Sequence, residues 1–211
     1  MKKIILTLSL LAFSCTSVSA LSDISGSDFE SYINKAHEQG IISGYDDGTF
    51  RPNNPVSFIE SLKIILNTGP YSKSIQGNDS DEWYTKFVQY YKAHQKTNAV
   101  SFGKDEKITR DFAVYLMLRQ LDIDLTGSDL SQIPASFPDI NKNTPLAPYI
   151  LFAKYAGITD GYKNGTFGPK NKVSRGELTK MVWRSLRENS NQIREKYLDL
   201  VVDGLIETLD K

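Results

Sequence analysis

The chain has 211 residues, 40% of them hydrophobic and 11% aromatic, enough to bury an ordinary core in one or two domains. Formal charge balances at 25 basic and 25 acidic residues, and loss of a leader carrying Lys2 and Lys3 would leave 23 against 25, a net of −2. That balance excludes a polybasic surface for nucleic acid or an anionic membrane, so a polyanion would have to be met at a local site.

Residues 1–20 read as an export signal. Met1-Lys2-Lys3 supplies the positive start, Ile4 to Phe13 an apolar stretch too short to span a bilayer, and Val18-Ser19-Ala20 a small-residue cleavage site. Cleavage after Ala20 would begin the mature chain at Leu21. Cys15, the only cysteine, falls inside this segment, so the mature chain would have no thiol for a disulfide or a metal. Lipidation at Cys15 is the lesser alternative, because the bulky Phe13 stands where a lipidation motif has a small residue.

A first unit spans 21–67. Phe29, Ile33 and Ala36 recur at helical spacing and Gly40 stops the helix. Gly44 and Gly48 punctuate the loop, and Asp47-Gly48 is a tight-turn pair in which glycine takes positive φ. Pro52 and Pro55 hold the following segment extended. Ser57-Phe58-Ile59-Glu60 is then a capping box, the serine satisfying the third helical amide and the glutamate reaching back to the cap amide.

A second, eroded unit spans 76–121. Trp83 to Val88 aligns with the first helix, and Phe102 to Arg110 (FGKDEKITR) aligns without gaps with Phe167 to Arg175 (FGPKNKVSR). The glycine turn is missing and the loop is three residues shorter, counted from Gln95. Thr109 keeps the cap position, but Phe112 stands where the capping glutamate belongs.

The third unit, 133–187, restates the first. GYDDGTFRPNNPVS from Gly44 returns as GYKNGTFGPKNKVS from Gly161, with Asn164-Gly165 as the tight turn and Ser174-Arg175-Gly176-Glu177 as the capping box. Asp139-Ile140-Asn141-Lys142-Asn143 imitates the start of a calcium loop, yet Thr144 and Ile150 occupy the places that need glycine and glutamate, so no metal is expected. Beyond it, at 189–211, Ile193, Tyr197, Leu200, Val201, Leu205 and Leu209 trace an amphipathic helix of about five turns. It would cover an apolar face of the repeats or, alternatively, pair with a second copy.

These motifs resemble the S-layer homology family, whose repeat runs from an F-x-D opening through a tryptophan and a G-Y turn to D-G-T-F-R-P and a T-R-A-E helix start. The resemblance covers most of 21–187. It implies a mostly α fold: three helix-turn-helix repeats in a compact pseudo-threefold bundle, with the C-terminal helix added. It also implies noncovalent binding of an acidic, pyruvylated secondary cell-wall polysaccharide in grooves between repeats.

In the family the arginine after the cap contacts this polymer. That carries over to Arg175 and Arg110 and fails at Phe58. A helix N-terminus attracts anions through its free amides, and a guanidinium fork pairs with a carboxylate in two places at once. Tyr45 and Tyr162, beside the repeat glycines, are second-tier contacts. Trp83 matches the family tryptophan and could stack on a sugar, although filling the core is the plainer role for an aromatic at a helix start. Ser57, Glu60, Thr109, Ser174, Glu177 and the glycines 44, 48, 161 and 165 are read as structural.

His37 and His94 sit in predicted helices, and no nucleophile elbow, zinc helix or phosphate loop occurs, so the chain is expected to have neither an enzyme site nor a cofactor. Two readings stay open: an exported wall-binding protein, or a degenerate scaffold that binds another envelope protein. The first predicts open polar grooves with Arg110 or Arg175 exposed beside a tyrosine. The second predicts an exposed apolar patch.

Overall fold

The computed structural model describes residues 20–77, 82–94, 103–129, 131 and 133–202. Residues 1–19, on which the export signal is read, residues 95–102, where the second unit is read as shortened, and residues 203–211 lie outside them. Within the described residues the chain is mostly helical, as three helix pairs in succession: α1 (Glu30–Glu38) with α2 (Phe58–Thr68), α3 (Thr85–His94) with α4 (Arg110–Arg119), and α5 (Ala147–Tyr155) with α6 (Arg175–Val182). A π-helical stretch, Trp183–Glu188, continues α6, and α7 (Ser190–Val202) follows.

Each second helix begins one residue after the cap position read from the sequence. Ser57 and Ser174 have extended backbone, accept from the Glu60 and Glu177 amides, and receive the reciprocal glutamate, so both capping boxes are complete. Thr109 holds the equivalent backbone, but its side chain makes no cap bond. Its hydroxyl donates to the carboxylate of Asp111 instead. With no acid three residues on, nothing reciprocates the cap and the nearer carboxylate takes the hydroxyl.

The segments just before these helices meet at the centre. Val56 N–H donates to Val173 O at 3.0 Å, Val173 N–H to Ile108 O at 3.1 Å, and Ile108 N–H to Val56 O at 3.3 Å, closing a ring of three backbone hydrogen bonds with one from each repeat. All three side chains are fully buried. Helices pack in the same cyclic order: α1 against α6, α3 against α2, and α5 against α4. Around the ring lie Phe50, Phe167, Met117, Leu118, Ile150 and Phe152, each without exposed surface.

Helix α7 lies against the second and third repeats. Ile193 and Leu200 are buried, the Tyr197 hydroxyl donates to Asp124 O at 3.2 Å, and Lys196 donates to Tyr155 O at 2.8 Å. Leu198 and Val202 are exposed. The continuation through Leu205 and Leu209 is outside the described residues.

Candidate functional site

The two arginines singled out from the sequence do the same thing in different repeats. Arg175, on the first turn of α6, crosses into the first repeat: Nε donates to Phe50 O at 3.0 Å, one terminal nitrogen to the Glu60 carboxylate at 3.0 Å and the other to Ser43 O at 3.3 Å. Arg110, on α4, crosses into the third: Nε donates to Phe167 O at 2.9 Å and Nη1 to the Glu177 carboxylate at 2.8 Å. Each guanidinium also lies over the neighbouring tyrosine, Arg175 4.7 Å from the Tyr45 ring centre and Arg110 4.3 Å from that of Tyr162. The pairing with a tyrosine is as expected. The exposure is not, for Arg110 and Arg175 retain only 3% and 6% of their accessible surface.

Nor do free helix amides await an anion. Arg175 and Gly176 N–H donate to Asn54 and Pro52 carbonyls, Arg110 and Asp111 N–H to Asn171 and Pro169, and Phe58 N–H to Glu106. The next repeat's loop therefore occupies the amides that the dipole argument left open.

Glu60 joins capping to the seam between repeats. One carboxylate oxygen accepts from the Ser57 amide and hydroxyl, the other from the Tyr45 hydroxyl at 2.9 Å and from Arg175. Burial alone would raise its pKa, but the Ser57 bonds, Tyr45 and the arginine outweigh that and hold it below the usual carboxylate value. Burial pushes the Tyr45 phenol up, and its bond to Glu60 adds to the rise.

The turns are built as predicted, with a partner that the sequence reading did not assign. Gly48 and Gly165 have φ of +78° and +83°. Asp23 accepts from the Phe50 and Arg51 amides at 2.6 and 2.7 Å, and Asp139 from the Phe167 and Gly168 amides at 2.9 and 2.7 Å. The aspartate that opens each outer repeat is thus a clamp on the extended segment leaving the turn. Asp139, the first residue of the calcium-like run, is spent in this way. The apolar residue two places earlier covers the other glycine: a Cβ on Gly44 would meet Leu21 at 2.5 Å, and one on Gly161 would meet Phe137 at 2.6 Å.

Between the first repeat's turn and α2 lies a groove of about 230 Å³, floored by Arg175, Tyr45 and Glu60 and flanked by Lys63 and Trp83. Trp83 does not fill the core; it is 48% exposed. The reason is local. On α6, Gly176 lets the Phe29 ring lie where a Cβ would clash with it. Ile59 has the equivalent place on α2, and Trp83 lies outside, its ring 5.2 Å from the Lys63 ammonium. Lys63 was not singled out from the sequence, where it reads as an ordinary surface lysine of a helix. Burial lowers its pKa, with Arg175 and Lys86 adding to the effect and Glu60 opposing it.

Among the described residues the third seam has no arginine–glutamate pair, although Lys107 approaches Glu60 across it at 4.0 Å. Phe58, in the arginine position, is buried and meets the Tyr91 ring edge-on at 5.3 Å, and Phe112 is buried in the position of Glu60 and Glu177. Both halves of the ion pair have been replaced by rings.

The family model described as S-layer homology domain matches residues 20–60 and 136–179, the first and third repeats. S-layer homology domains therefore stand at these two places, and the helix pair between them lies outside both matches. It is also 24% identical over 164 residues to an amylopullulanase of Thermoanaerobacterium thermosulfurigenes, an alignment covering 72% of this chain and 8% of that protein. The chain spans a small fraction of that relative's length.

Proposed function

We propose that this S-layer homology protein is exported and holds noncovalently to an acidic, pyruvylated type of secondary cell-wall polysaccharide. Wall binding at the cell surface is what S-layer homology domains provide in general, and the module is a binding one rather than a catalytic one. The observation that carries the finer reading is the first-repeat groove, where a half-exposed indole faces a cation above an arginine–tyrosine floor. A pyranose offers an apolar face to stack on an aromatic ring, and a ketal carboxylate offers a charge to a cation. Arg175 and Tyr45 contribute as the floor of this site. Arg110 and Tyr162 form the corresponding floor in the third repeat, a second and weaker place for the polymer.

The scaffold alternative requires an exposed apolar patch, and Phe58, which replaces an arginine, is the substitution that would favour it. That ring is 4% exposed and closed within a seam, so it offers nothing to a partner. Retention of the purified protein on wall polymer, before and after mild acid removes the ketal groups, decides between the readings. Retention lost with the ketals supports the proposal; equal retention on both polymers, or none on either, rejects it.

A further inference from the structure

The groove contains one more positive charge than it needs. Arg175 and Glu60 cancel each other at 3.0 Å; every nitrogen of the buried guanidinium donates to a carbonyl or the carboxylate, and the carboxylate is filled by Ser57, Tyr45 and the arginine. Lys63 is left over. Among the described residues no carboxylate lies within ion-pair distance of it, and its near neighbour Glu60 has no unused oxygen. The ammonium is half-buried at the groove wall against the indole of Trp83, where water is partly excluded and no acid among the described residues pairs with it. A desolvated cation without a partner is a standing cost to the fold, removed when a ligand supplies the anion.

We infer that Lys63, and not Arg175, is the residue that reads the acidic group of a bound sugar, while Arg175 positions the groove from beneath. This rests on the wall-binding reading above. The shared chemistry is a hexopyranose carrying a carboxylate, whether as a pyruvate ketal or as a uronic acid. Lys63 separates acid from neutral sugar, and Trp83 holds either one by its ring. Burial depresses the ammonium pKa, with Arg175 and Lys86 adding to the effect and Glu60 opposing it, in keeping with a half-buried cation.

Isothermal calorimetry of the purified protein with three probes tests this: a 4,6-pyruvylated methyl hexoside, a methyl hexuronoside and the unsubstituted methyl hexoside. Lys63→Met keeps the stem and removes the charge. It is expected to lower affinity for the acid probes about 10- to 100-fold, to the level of the neutral one, with the thermal midpoint unchanged or raised. Lys63→Arg keeps the acid preference. Trp83→Ala weakens all probes together. The order of the two acid probes on wild type tells ketal from uronate. Wild-type acid affinity in Lys63→Met overturns the role of Lys63 while leaving wall binding intact. A wild-type protein that binds neither the acid probes nor the wall polymer overturns the wall-binding reading, and this inference with it.

Discussion

The seam between the third and first repeats and the seam between the first and second are equivalent places with opposite chemistry. In one, Arg175 inserts into a ring of carbonyls and pairs with Glu60; in the other, Phe58 packs on Tyr91 while Phe112 stands in the glutamate position. The acid and the base of each pair belong to different repeats, so loss of the glutamate from the middle copy makes the arginine of the first copy an unpaired buried charge. A buried pair exchanged for apolar groups as a unit is often neutral or stabilising, whereas removing one partner costs about 3–5 kcal/mol. The two phenylalanines are therefore one change made in two places.

The sharpest way to break this comparison is Phe58→Arg, which restores one partner alone and should cost about 3–5 kcal/mol in urea denaturation. Adding Phe112→Glu should return about 1–3 kcal/mol as coupling, read from the double-mutant cycle. Additive effects would show that the two positions do not form a pair.

A smaller contrast lies in the turns that the outer repeats keep. Gly165→Val places a side chain at positive φ in open space and should cost about 1–3 kcal/mol of backbone strain. Gly161→Val has the same strain and also drives Cβ into the Phe137 ring and the Thr166 carbonyl, adding about 1–3 kcal/mol of overpacking. Thermal midpoints in the reverse order would sink the assignment.

The ionic seam should also show in the response to acid. Glu60 has a folded pKa below its unfolded one, so its contribution is present above the unfolded value and is lost as pH falls through the folded one. Glu60→Gln should flatten the acid limb of the stability–pH curve, and Phe112→Leu in the apolar seam should leave its shape unchanged. The smallest effect separates the caps. Ser174→Ala should cost about 1 kcal/mol, and Thr109→Ala less, because that hydroxyl caps no amide.

Helix starts at Ser57 and Ser174 were legible because capping, proline geometry and glycine turns are local and leave their mark within a few residues, and Thr109 was legible by its alignment with Ser174. The direction of the arginines was not. Arg175 finds Glu60 at a separation of 115 residues and Arg110 finds Glu177 at 67, and no spacing within a repeat announces a partner in another. A signal did exist: aligned copies lose the arginine and the glutamate in different repeats, the trace of a contact between copies. Asp23 and Asp139 were visible as shared letters of the opening motif, but only the fold shows their task, which is to hold the amides beyond each turn. Trp83 was expected in the core, and its displacement depends on Ile59 standing where the third repeat has glycine, a steric difference on a separate helix. Lys63 gave no sign at all, since its role comes from the neutrality of the pair beside it.

The ring of hydrogen bonds through Val56, Ile108 and Val173 has a consequence for how the chain comes together. In an open array each repeat leans on its sequence neighbours and the end repeats need polar caps. Here the first repeat and the last are each other's cap, so the Arg175 seam cannot form until almost the whole repeat region has emerged. Removing any one repeat would break two of the three seams at once. Folding should therefore be all-or-none, with a late, long-range closing step and no stable two-repeat fragment. Conversely, a chain opened between repeats and rejoined at its original ends would keep every seam and lose only a connection.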